Sequence, residues 1–300
     1  MIGLVDIGGT KCLVSATGDG GWPGPPLVRP TPAGGDPGPF LAEMLDRVRG
    51  GSDLEAIAVS TPGPFDRERR TLLNPPGLSV AWHGLDLQST LGEQFGCPVF
   101  AENDANCAAL AEARFGAGRG FPTVVYYTVS TGIGAGVVRD GELVVARHDT
   151  EAGHQVLWPE HLGGPACHCG GHGCLEALAS GNAIRRRFGR RAEELEDPAA
   201  WADIGRWLGL AVVNSVALLD CDVVVFGGGV ITAWARFEAE LRRTVRESLF
   251  LQPAPEIRVA ELGADRNAWG ALTLVPGAGD RKSTRLNSSH HTTSRMPSSA

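Results

Sequence analysis

Apolar residues along the chain follow either an alternating or a helical spacing, and the places where one gives way to the other outline its elements. Residues 2–16, "IGLVDIGGTKCLVSA", are an apolar run, a glycine turn and a second apolar run, which predicts a β-hairpin with its tip at Gly8-Gly9. "PGPFLAEMLDRVRG" places Phe40, Met44, Leu45 and Val48 at helical spacing. "LEAIAVSTPGPFD" is a short buried strand running into a proline-glycine loop, and "LDLQSTLGEQFG" has the spacing of a helix. "CPVFAENDANCAALAEARFG" is a strand, a polar turn at Glu102 to Asp104, and an alanine-rich helix.

The pattern then starts again. "TVVYYTVSTGIGAGVVRDGELVV" is strand, glycine-rich turn, strand, and a third strand after the Asp140-Gly141 turn. Helices are expected around "NAIRRRF", "WADIGRWLGLAVVNSVALL" and "RFEAELRRTVRESL", strands at "CDVVVFGGGVI" and "EIRVAEL", and a terminal helix at "NAWGALTLV". Two halves of the same kind imply a duplicated α/β architecture with two lobes around a cleft. We expect an N-terminal lobe over residues 1–110 and a C-terminal lobe over 111–279 carrying a cysteine-rich loop. The terminal helix, 266–276, is expected to pack back on the first lobe. "ARFGAGRGFP" breaks the pattern between the lobes.

A length of 300 residues suits two domains better than one core. The net charge of −7 argues against a general nucleic-acid binder, which carries a basic face. No run of about 20 apolar residues predicts a membrane span. "MIGLVDIGGTK" also lacks the basic start and cleavage site of a signal peptide. The expected setting is therefore cytoplasmic, with reduced thiols. Cys12, Cys97, Cys107 and Cys221 lie in apolar stretches and read as small core residues. Residues 280–300 have no apolar period and are not expected to order. "DRKSTRLNSSH" resembles a translated sequencing adapter, so this tail is set aside as artefactual, replacing the natural C-terminus near Gly279.

Three glycine turns follow strands. Gly8-Gly9-Thr10, Thr131-Gly132 and Gly227-Gly228-Gly229 expose backbone N–H groups that a phosphate can approach, and Thr10 and Thr131 add hydroxyls. Each alone is more often only a hairpin tip. Asp6 lies just ahead of the first turn, placed to hold magnesium through water. None of the three is a Walker loop or a dinucleotide fingerprint. "CHCGGHGCLE" supplies Cys167, Cys169 and Cys174 as zinc ligands, with a histidine needed as the fourth; His168 and His172 are nearest in sequence. Asn103-Asp104 reads as a helix N-cap or as a polar pair with a general base. Glu151 and Glu176, taken alone, read as surface acids.

In order, "VDIGGTK", "STPGPFD", "ENDAN", "STGIGAG", "EAGH", "CHCGGHGCLE" and "VFGGGV" resemble the ROK family of sugar kinases and repressors over residues 2–275. The resemblance implies an actin-like, ribonuclease H-like fold and an ATP-dependent kinase acting on a hexose, with glucose at its 6-hydroxyl as first choice. N-acetylmannosamine, N-acetylglucosamine or fructose kinases, or a non-catalytic sugar sensor, are the alternatives. The chain opens on the phosphate-binding strand, so it looks like a kinase without the repressors' helix-turn-helix domain.

The resemblance also makes His154 the fourth ligand of a structural zinc. It makes Asp104 the base and assigns the sugar to Asn103, Asp104, Glu151, His154 and Glu176. Magnesium-ATP falls to Asp6, Gly8, Gly9, Thr10, Lys11, Thr131, Gly132 and Gly227 to Gly229. A homodimer, and no nucleic-acid or membrane partner, are expected. One stretch departs from the family: His148-Asp149-Thr150-Glu151 stands where many members have a Gly-Ala-Gly-Glu-type run. Trp82 and Trp158 read as pocket walls or core.

Overall fold

The structure is a computed structural model and describes residues 1–18, 21–66, 68, 70–75, 77–145 and 149–278. His148 and the segment from Gly279 onward lie outside the described residues.

The first half contains β1 (Ile2–Ile7), β2 (Lys11–Ala16), β3 (Leu27–Pro30), α1 (Pro37–Arg49), β4 (Ala56–Thr61), the small hairpin β5 (Phe65–Asp66) and β6 (Thr71–Leu72), α2 (Glu93–Phe95), β7 (Val99–Asn103) and α3 (Asp104–Phe115). The second contains β8 (Thr123–Val129), β9 (Ile133–Arg139), β10 (Glu142–Leu143), α4 (Leu175–Ala179), α5 (Gly181–Phe188), α6 (Pro198–Leu219), β11 (Val223–Gly227), α7 (Glu238–Ser248), β12 (Glu256–Val259) and α8 (Arg266–Leu272).

The two large sheets have the same order: β3-β2-β1-β4-β7 and β10-β9-β8-β11-β12. In each, an antiparallel hairpin supplies the first strand, to which two parallel strands are added. The duplication read from the apolar pattern is thus a duplication of topology. The central parallel strands β4 and β11 are buried along their whole length, as strands covered on both faces must be.

Helix α3 belongs to both halves. Cys107 packs with Leu4 and Ala58 of the first sheet and with Ala268, Ala271 and Leu272 of α8. Ala108, Ala109 and Leu110 pack on Val124, Tyr126 and Val223 of the second sheet. Small side chains make this double packing feasible: a Cβ at Gly136 of β9 would stand 2.7 Å from the Cβ of Ala109. Glu112, fully buried, fastens the C-terminal end of this helix to the start of the last segment by accepting from the N–H groups of Ala117, Glu261 and Leu262.

Three local differences from the sequence reading have physical causes. Residues 88–92 wind as a π-helical turn rather than regular α-helix. Asp86 Oδ1 captures the N–H groups of Gln88 and Ser89, while the Gln88 side chain is held by Arg70 and by the N–H of Val99. β3 was not expected; it forms because its backbone pairs with β2, although half its side chains face solvent. Helix α6 is long and apolar enough to cross a membrane by length and composition alone. Here it turns Trp201, Ile204, Leu208, Val212 and Val216 into the second core. Trp82 is fully buried core, and Trp158 stacks on Trp207 beside the cysteine loop.

Candidate active site

Strand register puts the first group of polar residues in one row. Asp6 pairs with Ser60, and Thr61 with Asn103, so β1, β4 and β7 present Asp6, Ser60, Thr61 and Asn103 at their carboxyl ends. Ligands of open α/β sheets bind in the crevice at such ends. Asn103 caps α3, its Oδ1 accepting from Ala105 N at 2.9 Å and Asn106 N at 3.4 Å. The cap commits the carbonyl oxygen and leaves Nδ2 as the donor toward the crevice, where it stands 3.1 Å from the place a Cβ on Gly63 would take. The N-cap and the binding roles are therefore compatible.

Asp104 is the first residue of α3 and accepts from Ala105 N at 2.8 Å. Burial, then the charges of Asp6 and Asp149, push its carboxyl up to about 7, against the lowering pull of the Ala105 N–H. Burial likewise raises the Asp6 carboxyl, offset by a hydrogen bond from Asn267 Nδ2 at 3.1 Å and by the charge of Lys11. A half-buried carboxyl whose desolvation pushes it up toward neutrality, beside two other acids, has the electrostatics of a general base.

At the first glycine turn, Gly8 N donates to Lys11 O and Thr31 Oγ1 donates to Gly8 O. A Cβ on Gly9 would stand 2.8 Å from Gly77 O, so the neighbouring loop closes on this turn and only glycine fits. Gly9, Thr10 and Lys11 are exposed. In the other sheet, the turn after β8 and the turn after β11 lie side by side, since Gly227 pairs with Thr128. Ser130 Oγ accepts from Gly229 N at 3.1 Å and joins them. Gly228 has φ +98, and a Cβ there would stand 2.5 Å from Val129 O. Thr131 is exposed above this double turn.

Glu176, buried at the start of α4, lies under the second turn. Its Oε2 accepts from Ile133 N at 2.9 Å, and its Oε1 pairs with His168 Nδ1 at 2.7 Å. A Cβ on Gly132 would stand 2.5 Å from Oε2. His154 Nε2 faces Glu151 Oε2 at 4.0 Å, and the donor atoms of His154, His168 and Glu176 all lie within 4.8 Å of one another. Glu176 and His154 thus converge with the exposed Glu151, as a polyhydroxylated ligand requires, with His168 wedged beside them.

The other face of His154 serves the cysteines. Its Nδ1 lies 3.6 Å from Cys167 Sγ, and Cys169 Sγ lies 3.7 Å from Cys174 Sγ. A tetrahedron with Zn–S of about 2.3 Å and Zn–N of about 2.0 Å has edges of about 3.5–3.8 Å, so these spacings fit a closed Cys3His site. His172 faces Glu160 at 3.7 Å and His168 faces Glu176, which leaves His154 as the fourth donor. Burial and then the neighbouring thiols push Cys174 up to about 12, the repulsion that a cation at the centre relieves.

A family profile decides the ancestry of these turns: that of the ROK family matches residues 2–278. The chain belongs to the ROK family. The glucokinase of Thermotoga maritima is 32% identical over 270 residues, covering 78% of this chain and 83% of that protein. Among solved structures, the ROK hexokinase of Thermus thermophilus superposes with a TM-score of 0.79 at 37% identity, covering 91% of this chain and 97% of the other. A ROK family glucokinase of Streptomyces griseus, in complex with glucose and AMPPNP, superposes at 0.75 with 27% identity, covering 91% and 98%. The actin-like fold expected from the motifs is the fold of this ROK protein, and its class is that of the ATP-dependent sugar kinases.

Four residues beside this ROK protein's candidate site were given no role there by the sequence reading. Asn267 and Ser130 reach Asp6 and Gly229 only through the tertiary fold. Asp149 accepts from Asn106 Nδ2 at 3.2 Å, and His168, weighed only as a zinc ligand, holds Glu176. The family departure at 148–151 was the one available pointer to Asp149.

Proposed function

We propose that this ATP-dependent sugar kinase phosphorylates a hexose, with glucose at its 6-hydroxyl the leading substrate. The observation that carries the reading is the Asp104 carboxyl, raised to about 7 beside the donor Nδ2 of Asn103. Asp104 takes the proton of the attacking hydroxyl. Asn103 donates to a neighbouring hydroxyl, while Glu151, His154 and Glu176 hold the far side of the sugar. The backbone N–H groups of the Gly8-Gly9 and Thr131-Gly132 turns, with Thr10, Lys11 and Thr131, receive the phosphates, and Gly227 to Gly229 face the nucleotide. Asp6 is the residue that would hold magnesium, which when bound would supply charge neutralisation at the phosphates.

The Cys3His set binds zinc structurally, since its four donors leave no open position. Zinc bound there would hold the ring of His154 toward the sugar. Family relatives with glucose as substrate support the choice of sugar; fructose and the N-acetylhexosamines are the competing outcomes. ADP release with magnesium-ATP, measured against a panel of these sugars on protein ending at Gly279, tests the reading. Sugar-dependent release with glucose the best substrate is expected. No sugar-dependent release from folded, zinc-loaded protein would sink it in favour of a sugar-sensing role.

A further inference from the structure

An arginine stays charged and carries five N–H donors, so a guanidinium sheltered from water needs acceptors for them, and an anion above all. Arg266, half-buried as the first residue of α8, has only neutral acceptors. Its Nε donates to Leu262 O and its Nη1 to Tyr126 Oη, each at 3.3 Å. Among the described residues no carboxylate forms an ion pair with it, and its remaining donors have no protein partner.

Neighbouring groups fix where this charge stands. Tyr126 is fully buried, and its hydroxyl lies against Gly227, where any Cβ would collide with it. The guanidinium is therefore beside the turn that ends β11. The next residue, Asn267, holds Asp6 at the end of β1. The first two residues of α8 thus reach one strand end in each sheet, and these are the two ends assigned to the phosphates and the nucleotide in the proposed reaction. Lys11 and Arg266 both act on Asp6 as positive charges. Asp6, Asp104 and Asp149 act on one another as like charges and would repel a phosphate chain, so a second fixed cation there offsets that repulsion.

We propose that Arg266 is a phosphate-binding residue of the nucleotide site, gripping the phosphate chain of ATP between Asp6 and the Gly227 to Gly229 turn with its remaining donors. The inference rests on the proposed assignment of these turns to ATP. A planar guanidinium binds phosphate through two parallel bonds, which an ammonium cannot copy.

The test measures ADP binding by calorimetry, together with the KM for magnesium-ATP and for glucose, in the wild type, Arg266→Gln, Arg266→Lys and Tyr126→Phe. Arg266→Gln should weaken ADP binding and raise the KM for ATP about tenfold, while the KM for glucose moves less than about twofold. Arg266→Lys keeps the charge without the fork and should lose about threefold. Tyr126→Phe removes only the neutral partner of the guanidinium and should stay within about twofold of the wild type. Melting curves separate loss of the fold from loss of binding. Unchanged ADP binding in folded Arg266→Gln overturns the proposal. An equal rise in both KM values does so too, because it marks a general loosening. An equal loss in Tyr126→Phe makes Arg266 a support for β8 and nothing more. Should Arg266→Gln fail to fold, wild-type ADP binding in Arg266→Lys overturns the proposal instead. ADP binding without sugar turnover counts against the sugar reaction alone. A folded wild type that binds no ADP overturns the nucleotide assignment, and this proposal with it.

Discussion

Asn267 Nδ2 donates to Asp6 Oδ1 at 3.1 Å, so the terminal helix α8 delivers a partner to the carboxylate at the end of the first strand. The bond opposes the rise that burial imposes on Asp6, the proposed magnesium-holding residue. Replacing Asn267 by Ala should therefore raise the KM for magnesium-ATP about tenfold with little change in the KM for sugar. Stability should fall by about 1 kcal/mol, the usual worth of such a bond. Steady-state kinetics at varied magnesium check it, and an unchanged magnesium dependence would show that Asp6 needs no such support.

The base sets the pH profile. As the proposed base, Asp104 would act only when deprotonated, and with its carboxyl pushed up to about 7, lowering the pH through 7 fills it with a proton. We expect kcat/KM to fall about tenfold per pH unit below 7 and to be flat above, for the group of the free enzyme. Asp104→Asn should lower kcat by a factor of about 10²–10⁴ and leave sugar binding nearly intact. Equal loss of binding by calorimetry would mark Asp104 as a helix-terminal residue only.

The same shift has a sign for stability. Because the folded pKa of Asp104 lies above its unfolded value, the folded state binds the proton more tightly, and that stability is lost as pH rises through 7. Asp104→Asn, which cannot ionise, should melt higher than the wild type at pH 8, with the gap closing as pH falls toward 4. Melting curves across that range decide it.

Metal removal probes the cysteine loop. Chelated protein, or Cys169→Ser, should lose one zinc per chain and raise the KM for sugar more than that for ATP, because the Cys3His donors fix His154. Metal analysis paired with kinetics is the check. Full activity in metal-free protein contradicts the account.

Two glycines separate the substrates. Gly132→Ala drives a Cβ to 2.5 Å from Glu176 Oε2, so both the sugar and the ATP constants should worsen. Gly228→Ala, at φ +98 and 2.5 Å from Val129 O, should raise the ATP constant alone. Matched KM measurements on the two variants distinguish them.

The sequence by itself determined what depends on near neighbours. The hairpin at Gly8-Gly9, the helix Pro37–Arg49, the Asn103 cap and the three-cysteine spacing all rest on contacts or periodicities within a few residues. The order of such segments was enough to reveal two halves of one kind. Only the tertiary structure decided the identity of partners. His154 rather than His168 or His172 faces the thiols because the loop at 151–154 folds onto a cysteine turn thirteen residues on. Asn267 meets Asp6 across 261 positions, and Ser130 meets Gly229 across 99. His168 faces Glu176, and Asn106 reaches Asp149, for the same reason. Side-chain contacts between distant segments are set by how two sheets and one shared helix pack. No local spacing encodes that packing.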